Sequence, residues 1–173
     1  NVAVKQFNLT AILDAYDKKN RPAVQQREKI NIRDIFNMKG NLDIALGKFM
    51  FRKMQFDQLN TNVQLAPGAI RIVDLSTNTM KGQLKAAGQI NFTPDNSLNI
   101  VCDIRAIELS IPDIFNDCEN FGQQTLTGKH LLGTVSTAVS FNATWKDYKV
   151  LDDKNLTAIV DFTIKNGELI GFE

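Results

Sequence analysis

Ala158-Ile159-Val160-Asp161-Phe162-Thr163-Ile164-Lys165, followed at once by Asn166-Gly167-Glu168-Leu169, is the stretch on which the reading of the fold turns. Ala158, Val160, Phe162 and Ile164 fall on one side of an extended chain, and Ile159, Asp161, Thr163 and Lys165 on the other. A period of two marks a strand that buries one face. Asn-Gly directly after it is the strongest short-range signal for a hairpin turn. The segment therefore predicts a strand, a reversal and the start of another strand.

The same phrase occurs far upstream as Leu65-Ala66-Pro67-Gly68-Ala69-Ile70-Arg71-Ile72. Before it, Phe7-Asn8-Leu9-Thr10-Ala11-Ile12-Leu13-Asp14 resembles Ile107-Glu108-Leu109-Ser110-Ile111-Pro112-Asp113-Ile114 with one residue of slippage. Two imperfect repeats, about residues 1–75 and 100–173, point to a sheet extended by reiteration of one unit.

The alternation recurs along most of the chain. Leu42, Ile44 and Leu46 alternate with Asn41, Asp43 and Ala45, and Val63 and Leu65 with Asn62, Gln64 and Ala66. Leu98, Ile100, Cys102 and Ile104 oppose Asn99, Val101, Asp103 and Arg105. Val139, Phe141, Ala143 and Trp145 oppose Ser140, Asn142, Thr144 and Lys146. One greasy and one wet face per strand is the antiparallel pattern, because parallel strands covered on both faces read as continuous apolar runs. Pro67-Gly68, Lys81-Gly82, Pro94-Asp95-Asn96, Asp152-Asp153-Lys154-Asn155 and Asn166-Gly167 are the expected reversals.

Helix is scarce. Residues 11–19 and 111–120 suit short helices, the second with Ser110 as N-cap, Pro112 in the first turn and Asp113 favourable there. Residues 21–30, polar and broken by Pro22, and residues 121–133, with three glycines, read as connections. About eight amphipathic strands make a broad apolar face, on which each large side chain is worth roughly 1.5–3 kcal/mol if kept from water. Two short helices cannot cover it. The sheet either folds on itself as a sandwich or curves around something else, and periodicity alone allows both. The fold class expected is mainly β: a strongly curved antiparallel sheet, a β-groove or half-barrel, with one or two short helices, in a single domain over residues 1–173.

Composition narrows the function. Twenty basic and nineteen acidic residues are scattered along the chain, so no basic stripe for nucleic acid is present. Hydrophobic content is 43%, yet no apolar run is long enough for a membrane span. The chain opens at Asn1 in a strand-like pattern and closes at Phe172-Glu173 in another, which reads as a fragment of a longer protein. Cys102 falls on an apolar face and Cys118 ends a helix-like stretch; a disulfide between them and two small buried thiols are both open readings.

Catalytic chemistry is missing from the pattern. His130, beside Gly128 and Lys129, is the sole histidine, so neither a Ser-His-Asp triad nor a zinc site is expected. Asp152 and Asp153 read as a solvated acidic turn without the oxygen-ligand register of a calcium loop. The glycines stand singly at turns, so no phosphate-binding loop is expected. Triplets at Asn8, Asn91, Asn142 and Asn155 satisfy the glycosylation pattern but follow from a composition rich in Asn and Thr. Phe49, Phe51, Met54 and Phe56, interleaved with only Arg52 and Lys53, suit packing better than base stacking. No enzyme, cofactor or metal is expected.

From Gly40 onward the order of features resembles a known family. An alternating strand leads through Pro67-Gly68 to Asn78-Thr79-Met80-Lys81-Gly82-Gln83-Leu84-Lys85-Ala86-Ala87-Gly88. The strand ending in Ile107-Glu108-Leu109-Ser110, a short helix, Leu126-Thr127-Gly128 and the closing Ile164-Lys165-Asn166-Gly167-Glu168-Leu169 follow. This order is similar to the C-terminal region of AsmA-like proteins, relatives of the TamB-type bridge proteins of didermal bacteria. One departure is Lys81-Gly82, where the family carries a Gly-Gly pair. The resemblance implies a long apolar β groove in the periplasm, tethered to the inner membrane by a segment outside this chain. It also implies a part in outer-membrane biogenesis and in phospholipid transfer between the inner and outer membranes. Acyl chains of a phospholipid or similar lipid would then be the missing cover. The residues expected to line the groove are Leu42, Ile44, Leu46, Val63, Leu65, Leu98, Ile100, Ile104, Val139, Phe141, Val160, Phe162 and Ile164. The alternative is a self-contained β-sandwich serving as an interaction module of the cell envelope, or a regulator of outer-membrane protein assembly acting through contacts with envelope proteins.

Overall fold

Strands follow one another in chain order across a single open, curved sheet. They are β1 (Val2–Asn8), β2 (Gly40–Phe51), β3 (Met54–Ala66), β4 (Ala69–Thr79), β5 (Gly82–Phe92), β6 (Leu98–Ser110), β7 (Leu131–Lys146) and β8 (Val150–Leu169). A short helix, α1 (Ile111–Asp117), and two 3-10 turns join β6 to β7. The computed structural model describes residues 2–8, 39–147 and 149–171. The helix expected over residues 11–19 and the connection at 21–30 lie outside the described residues.

From β2 to β8 every neighbouring pair is antiparallel, as the alternation predicts. The first strand departs from that pattern: β1 pairs parallel to β2, with Val2 opposite Ile44 and Asn8 opposite Met50. Parallel neighbours need a crossover of a dozen or more residues, and the chain between Asn8 and Gly40 is long enough for one. All described strands belong to one sheet. A sandwich needs two sheets face to face, so that alternative is corrected for the described residues. The burial agrees: Leu59, Ala106, Leu109 and Ala143 are the buried hydrophobic residues, and no large described side chain is fully enclosed.

Pro67-Gly68 is a two-residue turn between Ala66 and Ala69, with Gly68 at φ 71°, as a type II turn requires. Met80 and Lys81 reverse the chain between Thr79 and Gly82 with φ of 48° and 63°, the left-handed pair of a type I′ turn. At Thr93–Ser97 the Asp95 carboxylate accepts hydrogen bonds from the Thr93 and Ser97 hydroxyls at 2.5 and 3.1 Å. These bonds favour the ionised form and hold its pKa below the ordinary value.

Two expected reversals are bulges instead. Asn166-Gly167 lies inside β8, where Lys165 opposes Thr134 and Glu168 opposes Leu132, leaving one extra residue on β8. Asn166 takes φ 51°, and opposite it Gly133 takes φ 106°. A Cβ on Gly133 would stand 2.7 Å from the Asn166 carbonyl oxygen, so the bare glycine is what lets the bulge approach. The same left-handed conformation that suits Asn in a tight turn suits it in a bulge. Asp152–Asn155 likewise falls within β8, between the Thr144–Asp152 and Asn142–Thr157 pairs, and the chain reverses earlier, between Lys146 and Val150. Asp152 is buried, not solvated: Lys146 Nζ lies 3.0 Å from Oδ2, and Asn155 Nδ2 donates to the same oxygen at 3.0 Å. Further bulges at Gln58 (φ 53°) and Glu108 (φ 52°) bend β3 and β6.

Ser110 caps α1 as expected, its hydroxyl accepting from the Asp113 backbone N–H at 3.4 Å, with Lys81 Nζ 2.9 Å from the Asp113 carboxylate. His130 is half-buried. Its Nδ1 accepts from the Thr127 backbone N–H at 3.2 Å and closes a capping box.

Candidate functional site

In an antiparallel ladder, directly opposed residues share a face, so the register alone places the candidate lining residues. One row across the sheet runs Leu65, Ile70, Ile90, Ile100, Ala143. The next runs Leu42, Val63, Ile72, Gly88, Cys102, Phe141, Ala158. A third runs Ile44, Thr61, Leu75, Ala86, Ile104, Val139, Val160. Leu46 opposes Leu59, Leu98 opposes Trp145, Phe162 opposes Thr137, and Ile164 opposes Val135. All thirteen candidates lie on one continuous face.

That face is the more enclosed one over the middle of the sheet. Along β5, Leu84, Ala86, Gly88 and Ile90 are half-buried, whereas Gln83, Lys85, Ala87 and Gln89 are exposed. Ala86 and Ala87 make the contrast independent of side-chain size. Toward β8 the enclosure fails: Val160 and Phe162 are 52% and 67% exposed, although they sit in the same rows as half-buried Val139 and Thr137.

Sequence reasoning missed several members of this face. Ile70, Ile72 and Leu75 belong to it, but the bulge at Val73 breaks their period-two spacing. Leu84, Ala86, Gly88 and Ile90 belong too, and the small residues in the middle dilute the apolar signal. Gly88 has a steric reason: a Cβ there would meet the Val101 carbonyl oxygen at 2.7 Å and Cys102 Cβ at 2.8 Å. Cys102 sits on this face as its alternation predicts, and burial pushes its thiol pKa up, with Asp103 adding to the effect. Cys118, at the C-terminal end of α1, is raised for the same first reason. Both thiols are free. Phe49 and Phe56 oppose each other across β2 and β3 with ring centroids 5.6 Å apart, so these two members of the aromatic cluster pack together.

The opposite face carries a depression of about 720 Å³, floored by Ala87 and Ala138 between the longer Lys85, Arg105 and Val73. Lys85 and Arg105 are directly opposed on β5 and β6, an arrangement that like charges disfavour. Nearby Asp103 accepts from the Ser140 hydroxyl at 2.6 Å. None of these polar-face residues stood among the sequence candidates.

No family profile matches the chain, and no curated protein or solved structure does either. Among the described residues no group of three or more His, Cys, Asp or Glu could hold a metal ion. No helix among them is long and apolar enough to cross a membrane.

Proposed function

We propose that this chain is a non-enzymatic β groove that shields the acyl chains of a phospholipid or similar lipid. In the AsmA-like reading it works in the periplasm, tethered through a segment outside this chain. It serves outer-membrane biogenesis by moving phospholipid between the inner and outer membranes. The observation that carries the proposal is the continuous apolar face of thirteen candidate residues on an open sheet that has no second described sheet against it. Such a surface takes its driving force from apolar area removed from water. It needs no catalytic group. An acyl chain lying across the rows would touch Ile100, Ile104 and Val139 in the middle and Phe162 toward the edge, with its polar headgroup left in solvent.

Native mass spectrometry of gently purified protein is the direct test. Phospholipid-mass adducts are expected on the wild type. Ile100→Asp and Phe162→Asp are expected to lose them, and to abolish transfer between donor and acceptor vesicles, while circular dichroism stays that of a β protein. Repeated absence of bound lipid, together with no increase in the fluorescence of a hydrophobic dye, would overturn the proposal.

A further inference from the structure

We infer that the open edge of β8 is a self-pairing interface, on which a second copy of this chain adds its own β8 antiparallel about a two-fold axis at Thr163. The starting observation is how bare this strand is. β8 runs from Val150 to Leu169, the longest strand of the sheet, and borders it with no described neighbour on its outer side. Every residue of β8 but Asp152 is exposed. Large apolar side chains stand out on both faces: Val160, Phe162 and Ile164 on the candidate lining face and Ile159 on the other. Soluble proteins blunt such edges with prolines, short strands, bulges or clustered charges, and the bulges of β8, at 153–156 and 166–167, lie outside the run from Thr157 to Lys165. β8 contains no proline and only two charges, Asp161 and Lys165, between Thr157 and Lys165.

Those two charges select the occupant. In a two-fold antiparallel pair, residues i and j face each other twice, and their numbers must have the same parity for like faces to coincide. Centring the axis on Thr163 sets Asp161 against Lys165 of the second copy, and Lys165 against its Asp161. It sets Phe162 against Ile164 twice on the apolar face, and Thr163 against itself. Opposite charges, an aromatic facing a β-branched residue and Thr facing Thr are the cross-strand pairs that stabilise a ladder. Centring the axis on Asp161 instead would bring two carboxylates together, and centring it on Val160 would leave them diagonal neighbours. Among the described residues the Asp161 carboxylate has no ion-pair partner. Lys165 holds only the exposed Glu108 at 2.9 Å and keeps donors to spare. Because the axis stands normal to the sheet, the two apolar faces would join on one side. The inference stands on the edge itself and not on what the face binds.

Sedimentation velocity over a concentration series is the test, on the wild type and three variants. The wild type should sediment as a concentration-dependent dimer. Asp161→Lys should weaken association about tenfold or more, by setting like charges opposite, and Asp161→Lys combined with Lys165→Asp should restore it. With Cys102 and Cys118 replaced by alanine, Thr163→Cys should cross-link under mild oxidation, and Thr157→Cys, off the axis, should not. A monomer at all concentrations, open-ended polymers from β8 meeting another edge, no rescue by the double exchange, or equal cross-linking at 157 and 163 would each overturn the inference.

Discussion

β6 and β8 carry the same alternation on the same face, and they end in opposite conditions. Ile100, Cys102 and Ile104 in β6 are half-buried between β5 and β7. Val160, Phe162 and Ile164 in β8 have β7 as their one described neighbouring strand and remain more than half exposed. Residue type is nearly constant between the two strands, so neighbouring strands decide how much water a side chain loses. The apolar period therefore shows which way a residue points. It does not show how far that residue is covered.

Substitutions that change size are the sharpest way to break this contrast. Leu59→Ala, at a position 8% exposed in β3, should cost about 2–4 kcal/mol in urea denaturation. Phe162→Ala, at the edge, should stay within about 0.5 kcal/mol in protein dilute enough to be monomeric, despite the larger side chain removed. Equal losses in the dilute monomer would mean that β8 is covered within a single chain. Next comes overpacking: Gly88→Val in β5 forces a Cβ against the Val101 carbonyl and should cost about 1–3 kcal/mol. Ser110→Ala, which removes the cap of a seven-residue helix, should cost about 0.5–1 kcal/mol, because the bond it breaks is long.

The smallest effect concerns pH and belongs to β8. The Asp152 carboxyl is held below its ordinary pKa by hydrogen bonds from Lys146 first and Asn155 second. A carboxylate with a depressed folded-state pKa adds stability above its unfolded value, about 3.9 for Asp, and loses it as pH falls through the folded value. Asp152→Asn should therefore flatten the acid limb of the stability profile below about pH 4 and lower the neutral plateau without changing its slope. An unchanged acid limb would show that Lys146 and Asn155 do not hold the Asp152 carboxyl below its ordinary pKa.

How much of this was legible depends on whether a signal is local. The face of the thirteen candidate residues is written in a two-residue period, and every one of them landed on it. Pro67-Gly68 and the Ser110 cap are equally local, since a turn or cap is decided by the few residues that make it. Asn166-Gly167 was legible only as a left-handed site; whether that site turns the chain or bulges it depends on Gly133 across the ladder, a residue more than thirty positions away. The parallel pairing of β1 has no local signal at all, because direction is set by the crossover. The apolar membership of β4 and β5 was hidden by a bulge at Val73 and by the small Ala86 and Gly88, the glycine answering to backbone spacing rather than to hydrophobicity.

The parallel first strand has one more consequence. With β1 turned to match β2 and seven strands then alternating, both borders of the sheet run in the same direction. A copy moved sideways without rotation would meet its neighbour through a parallel ladder, whose slanted bonds hold slightly less per residue. A copy turned half a circle about the sheet normal would meet it antiparallel. The polarity of the borders thus tilts growth of this sheet away from endless side-by-side stacking and toward pairs.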